Sequence, residues 1–230
     1  MPENSRKKEL KLMQEPVRVT GMVLEASPVG ETDRRVVLLT KERGKISAFA
    51  RGARKQGSRL MAATNPFCFG EFVIYEGRNS YSLSEAVIAN YFEDMRTHFE
   101  EACYGMYFLE LMDYYTRENN DEKAMLLLLY QSLRALLHEA YDNKLVRYIF
   151  EIKAVVLNGE YPGLPKNKDY EESTRYALQY IADSSLEKLY SFKVSEEVLQ
   201  ELEEIAGIYQ RRFVDRKMKS LEILEGLIYN

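Results

Sequence analysis

Cysteine and histidine are scarce in this chain of 230 residues, which holds two of each. Cys68 and Cys103 are too few for a disulfide framework or a thiolate zinc site, so reduced thiols in a cytosolic protein are expected. His98 and His138 lie in unrelated contexts and leave Ser-His-Asp, Cys-His and His-rich metal chemistry almost nothing to be built from. No apolar run approaches the roughly 18 residues of a membrane span; the longest candidate, Ala124 to Tyr130, reads as one helical segment. The first fifteen residues carry Arg6, Lys7, Lys8 and Lys11 without an apolar core segment, so no secretory signal is expected there. An enzyme is not expected.

What is present is a hydrophobic fraction of 46% with 30% charged residues, enough for one large or two ordinary domains and incompatible with global disorder. The net charge of −4 conceals a split. Residues 1–60 hold 14 Lys+Arg against 7 Asp+Glu, whereas residues 61–230 hold 18 against 29. A cationic end suits a polyanion, and an acidic remainder limits indiscriminate sticking to nucleic acid.

From Val17 to about Ile88 the chain is rich in β-branched and aromatic residues and is punctuated by turns, which predicts five strands. They run roughly over Val17–Ala26, Arg34–Thr40, Lys45–Arg51, Phe67–Glu76 and Ser80–Val87, with a hairpin at Gly77, Arg78 and Asn79. The connection between the third and fourth strands is long for a hairpin, and this pattern suggests a small Greek-key barrel of the OB kind. After Asn90 the apolar period lengthens to helical spacing. Helices are predicted near 94–118, 121–141, 144–157, 171–182, 195–217 and 221–228, with a Pro/Gly linker at 160–170. The third should be central, since Ile149, Ile152, Val155 and Val156 leave it little polar face. The expected class is α+β: a mobile leader over 1–16, a five-stranded OB-fold barrel over 17–90 and an all-α domain over 91–230.

The segment 44–59 holds Lys45, Arg51, Arg54, Lys55 and Arg59 and no acid. Strand alternation puts Lys45, Ser47, Phe49 and Arg51 on one face and Ile46, Ala48 and Ala50 on the other. Phe49 then lies between cations, an arrangement that suits single-strand binding through phosphate contacts and base stacking, unless Phe49 belongs to the barrel core instead. Arg34, Arg35 and Arg43 are secondary candidates for the same surface. The run Gly52 to Arg59 resembles a phosphate-cradling P-loop only superficially: Ser58 and Arg59 follow the second glycine where Lys and then Ser or Thr are required. Acidic pairs such as Glu100 and Glu101 read as solvated helix faces. On the third helix Arg147 and Lys153 could flank a groove or snorkel at a helix edge. Arg211, Arg212, Arg216, Lys217 and Lys219 form either a second cationic stripe or an answer to the acids Glu201, Glu203 and Glu204.

The runs Val23–Leu24 to Gly30–Thr32, Leu39–Lys45, Ala50–Arg54 and Asn65–Phe67 together resemble the RecO family of bacterial recombination mediators. The likeness continues through Tyr107–Leu111, Phe150–Glu151 and Asn158–Pro162, so it covers 17 to about 165. It implies an N-terminal OB domain that binds single- and double-stranded DNA and anneals complementary strands. It also implies work with the partner RecR and docking on the acidic, hydrophobic C-terminal tail of the single-strand-binding protein SSB, so that RecA can replace SSB. The family's basic positions match Lys45, Arg51 and Arg54. Its tail contact is a basic residue before the Phe-Glu pair, for which Arg147 is the nearest here, with Lys153 beyond it. Many members carry a four-cysteine zinc module after the Tyr-x-Pro segment, but 164–170 contains no cysteine, so neither zinc nor any other cofactor is expected. The resemblance implies a bacterial cytoplasmic, nucleoid-associated protein with no membrane partner. An RNA-binding OB module and a protein-interaction adaptor remain the alternatives.

Overall fold

A computed structural model describes residues 15–77 and 80–228; the leader up to residue 14 and the hairpin residues Arg78 and Asn79 lie outside them. Five strands, β1 (Val17–Val29), β2 (Asp33–Thr40), β3 (Gly44–Ala50), β4 (Phe69–Glu76) and β5 (Tyr81–Asn90), close a barrel in the order β1-β2-β3-β5-β4. All pairings are antiparallel except β3 with β5, which run parallel. This is the five-stranded OB-type barrel expected from the strand pattern. Inward residues of every strand fill it, among them Val23, Leu38, Ile46, Phe72, Ile74 and Leu83.

Several boundaries differ from the pattern for identifiable reasons. β1 continues through Pro28, which pairs with Arg34 after a bulge between Val23 and Glu25; a proline is tolerated there because the ladder is close to its end. β4 starts only at Phe69, since Phe67 has φ of 73° and cannot continue a strand. The long β3–β4 connection carries a one-turn helix, α1 (Leu60–Ala63), whose Leu60 and Ala63 are buried. Alternation had given no hint of it, because four residues are too few to show a period.

Helices α2 (Phe99–Tyr115), α3 (Lys123–Leu136), α4 (Asn143–Leu157), α5 (Glu172–Asp183), α6 (Glu196–Phe213) and α7 (Lys219–Ile228) follow a 3₁₀ turn at Glu93–Arg96. Asp142 caps α4 by accepting from the amides of Lys144 and Leu145 at 2.8 and 3.1 Å, and Ser195 caps α6 through the Val198 amide. α4 is the buried helix the sequence predicts: Leu145 through Val155 are all buried. None of the described helices is long and apolar enough to cross a membrane.

The chain forms two compact units. One holds the strands through Tyr91 together with Arg117–Glu122; the other holds Phe92–Thr116 and the chain from Lys123 onward. The single helix expected over 94–118 therefore breaks: α2 ends at Tyr115, and 117–122 belongs with the barrel. There the Arg117 carbonyl accepts from the Lys45 amide and the Asn119 amide donates to the Arg43 carbonyl, both at 2.9 Å. The Tyr81 hydroxyl donates to Glu118 at 2.9 Å, and burial together with that carboxylate pushes the phenol up to about 12.

Gly21 of β1 and Gly70 of β4 are directly paired and buried. A Cβ at Gly21 would stand 2.4 Å from the Leu39 carbonyl oxygen, and one at Gly70 would stand 2.2 Å from that of Val87. The backbone of β2 at Gly21 and that of β5 at Gly70 come too close for any side chain. Gly70→Ala is expected to destabilise the barrel unit by about 1–3 kcal/mol, the usual penalty of overpacking, read as an earlier urea transition of barrel signals with those of α2–α7 unchanged.

Candidate nucleic-acid interface

The burial pattern of β3 alternates from Gly44 to Ala50, with Ile46, Ala48 and Ala50 inside and Lys45, Ser47 and Phe49 facing out. Phe49 is thus on the outer face and not in the core. Register then decides its neighbours. Phe49 is opposite Arg35 on β2 and opposite Ser82 on β5, and Ser82 is opposite Tyr75 on β4. A transverse row Arg35, Phe49, Ser82, Tyr75 therefore crosses four strands, over about 14 Å at the usual strand spacing. Arg35 and Tyr75 are exposed, and the Arg35 Nε donates to the Ser47 hydroxyl at 2.8 Å, which holds the guanidinium along the face. Carboxylates stand close to the β4 end of the row: Glu76 follows Tyr75, and Glu85 is opposite Val73, with Glu71 beyond.

The loop after β3 is anchored to the β1–β2 turn. Asp33 accepts from the Gly52 amide at 2.8 Å, the Arg54 amide donates to the Thr32 carbonyl at 2.8 Å, and the Arg54 guanidinium donates to the Gly30 carbonyl at 3.0 Å. Gly52 reverses the chain at φ of +66°, a conformation natural to glycine. The amide of Gly52, then the Thr32 hydroxyl, hold the Asp33 carboxyl below its ordinary value, with the charges of Arg51 and Lys55 adding to the effect. Arg51, Arg54, Lys55 and Arg59 are exposed, and among the described residues no carboxylate stands within ion-pair distance of them or of Arg35. The loop is therefore a held cationic rim at the end of the barrel beside Arg35 and Phe49.

Other candidate cations are placed differently. Lys45 shares the outer face but lies four residues from Phe49, about 13 Å along the strand. Arg43 sits in the β2–β3 turn at the opposite end, beside 117–122, and pairs with Glu76 at 3.9 Å. Arg34 has the parity of the buried Val36 and Leu38, and its Nη1 donates to the Met61 carbonyl, Thr64 Oγ1 and Asn65 Oδ1, each at 2.9 Å. It ties α1 to the barrel and is withdrawn as a nucleic-acid contact, because its donors on that nitrogen are spent inside the fold.

Arg147 and Lys153 are likewise corrected, being 8% and 4% exposed rather than open groove flanks. Lys153 Nζ donates to the carbonyls of Ile181, Ala182 and Ser184 at 3.1, 2.8 and 2.8 Å, closing the C-terminal end of α5 with a positive charge. Burial lowers its pKa. Arg147 Nε donates to Glu151 at 2.9 Å, and the Tyr107 hydroxyl donates to the same carboxylate at 2.6 Å. Burial opposes the Arg147 charge, but Glu151 outweighs it and the pKa ends above the ordinary arginine value. In the later stripe, Arg216 pairs with Asp113 at 3.3 Å and Lys217 with Glu222 at 3.5 Å, while Glu201 and Glu204 are met by Lys168. Among the described residues no group of three or more His, Cys, Asp or Glu side chains could hold a metal ion.

Sequence reading had missed Tyr75, Ser82 and Asp33. Alternation in β4 places Tyr75 outside, but its relation to Phe49 needs the parallel β3–β5 pairing, which no local pattern shows. Asp33 lies outside the acid-free segment 44–59 along the chain, and tertiary folding brings it to the base of that segment. If Asp33 holds the loop, the Gly52 amide shift in NMR is expected to titrate with a midpoint below the ordinary carboxyl value of about 3.9. The carboxyl's folded pKa is lowered, so the contact is intact at neutral pH and is lost as pH falls through that midpoint. A midpoint at or above the ordinary value would show that the tether is not made.

Comparison with known proteins matches residues 13–92 to the family "Recombination protein O N terminal" and residues 96–166 to "Recombination protein O C terminal". The DNA repair protein RecO of Acetivibrio thermocellus is 27% identical over 243 residues, covering 92% of this chain and 97% of that protein. That of Clostridium kluyveri is 27% identical over 241 residues, covering 92% and 94%. That of Bacillus pumilus is 38% identical over 151 residues, covering 64% and 57%. With both family domains matched in order, over the barrel and over the helices that follow it, the chain belongs to the RecO family of DNA repair proteins.

Proposed function

We propose that this protein is a non-enzymatic recombination mediator whose barrel seats DNA strands on the row Arg35, Phe49, Ser82, Tyr75 and on the adjoining loop cations. The observation that carries the proposal is that two outward aromatics stand in register beside exposed cations that have no ion-pair partner among the described residues. Cations neutralise phosphates, and aromatic rings accept any base, so the surface suits sequence-tolerant single-strand binding. OB barrels bind on the strand 2–3 face, which here carries Arg35 and Phe49. Arg35, Arg51, Arg54, Lys55 and Arg59 carry the contact, Lys45 extends it along β3, and Arg43 is peripheral.

Holding two strands on one cationic surface lowers their mutual repulsion, which is what annealing requires, and double-stranded DNA meets the same phosphate contacts. Family likeness supports the rest: cooperation with RecR, recruitment through the acidic, hydrophobic tail of SSB, and indirect help to RecA. Cytoplasmic action near the nucleoid accords with that role. None of these steps needs a reaction centre.

Binding to single strands is expected to weaken with salt at a log–log slope of about −3 to −4, from four to six phosphates at roughly 0.7 each. A slope near zero would dismiss the electrostatic seat. Joint replacement of Arg51 and Arg54 by Ala is expected to weaken binding to all sequences alike and to flatten the slope by about 1.4. Phe49→Ala and Tyr75→Ala are each expected to cost about 1–3 kcal/mol while leaving the slope unchanged. Fluorescence titration at three salt concentrations reads all of these, and full affinity in the aromatic variants would move the stacking surface elsewhere. Competition by RNA of matched length separates a DNA mediator from an RNA-binding module.

A further inference from the structure

Four of the candidate cations, Arg51, Arg54, Lys55 and Arg59, stand on the connection that follows β3, and consecutive residues of β2 hold that connection at two points. Near its start the Asp33 Oδ1 accepts from the Gly52 amide at 2.8 Å and from the Thr32 hydroxyl at 3.0 Å. Toward its end the Arg34 Nη1 donates to the Met61 carbonyl, Thr64 Oγ1 and Asn65 Oδ1, each at 2.9 Å. Between these points the backbone turns on itself twice, the Lys55 amide donating to the Gly52 carbonyl at 3.1 Å and the Ser58 amide to the Lys55 carbonyl at 3.0 Å. Ala53 and Leu60 are buried and belong to the barrel core.

The connection is therefore an arch with its feet in the core, and its charges extend from backbone that is already ordered. A slack loop would have to order backbone and side chains on meeting a strand, whereas a held one has less freedom to lose. Among the tethers Asp33 is the one that works against charge. The charges of Arg51 and Lys55 reach its carboxylate, so a phosphate drawn to those cations is repelled by it. If charge were all that mattered at this surface, an uncharged residue at position 33 would serve better. What the carboxylate supplies instead is an acceptor for the amide of Gly52, the residue at which the chain reverses.

We infer that Asp33 is a positioning residue for nucleic-acid binding: by holding Gly52 it sets the loop cations in the arrangement that meets a sugar-phosphate chain. The inference rests on the DNA seat proposed above, and it adds to that seat an acid that promotes the binding of a polyanion. The oxygen acts through its place and the charge opposes it, so the two contributions have opposite signs. Substitutions that separate place from charge must then move affinity in opposite directions.

The test uses the full chain and a fluorescein-labelled oligo(dT) strand, followed by anisotropy at low salt. Asp33→Asn keeps an oxygen in place to accept from the Gly52 amide while removing the charge, and is expected to bind about twofold tighter than the unmodified chain. Asp33→Ala removes the same charge without supplying an acceptor, and is expected to bind about three- to tenfold more weakly. Asp33→Glu keeps the charge but carries the carboxylate one methylene away; it is expected to weaken binding as well, and it carries the test if the alanine variant does not fold. Amide exchange at Gly52 and Arg54 is expected to quicken in Asp33→Ala and Asp33→Glu, with the amides of β2 and β3 unchanged. Tighter binding by Asp33→Ala, matching Asp33→Asn, would overturn the positioning role and leave Asp33 a plain opposing charge on a seat that still stands. Asp33→Asn weakening as much as Asp33→Ala would overturn it too, since an oxygen in place would then not suffice. Affinity left intact by joint replacement of Arg51 and Arg54 with Ala would instead remove the loop from the seat, and this role with it.

Discussion

The parallel pairing of β3 with β5 is the constraint on which the candidate surface depends. Three residue pairs, Ala48 with Tyr81, Phe49 with Ser82 and Ala50 with Leu83, close the wall. Parallel strands cannot be joined by a tight turn, so the chain must travel out and back between them. It does so through the cationic loop, α1 and β4. The excursion that closure requires thus contains the loop that holds Arg51, Arg54, Lys55 and Arg59. Closure also brings Ser82, and with it Tyr75, into line with Phe49. One pairing therefore organises both the outward aromatics and the rim beside them.

Cations in this protein divide by what their donors face. Arg34, Arg147 and Lys153 spend theirs on internal oxygens: a helix carbonyl with two side-chain oxygens, a buried carboxylate, and the last carbonyls of α5. Each would be a costly buried charge without those partners. Arg51, Lys55 and Arg59 face water, and Arg54 is exposed although one of its donors goes to the Gly30 carbonyl; there a phosphate could take the place of water with release of counterions. The same residue types thus support structure in one place and form the candidate surface in the other, and burial makes the difference.

Much of this was legible from residue order. Strand alternation placed Ile46, Ala48 and Ala50 inside, the helical period marked α4 as the buried helix, and turn residues separated the strands. These features are local, and burial of one face enforces them wherever the segment ends up. The acid-free run 44–59 was visible too, and among the described residues tertiary folding leaves its loop charges without carboxylates at ion-pair distance. Less legible were α1, too short to display a period, and 117–122, a break in helix held by backbone bonds to Arg43 and Lys45 that are independent of side-chain type. Arg34 could have been recognised from its parity with Val36 and Leu38, a signal that its charge obscured.

The order of residues by itself determined the class of fold, the place where strands give way to helices, and the uneven distribution of charge, because each arises from composition and spacing along one segment. Only the tertiary structure decided which cations stay in water, that Tyr75 and Ser82 align with Phe49, that Asp33 holds the loop, and that Arg147 is buried against Glu151. Those outcomes depend on strand register and on contacts between distant segments. A pattern within one segment carries no record of the residue that will stand across from it.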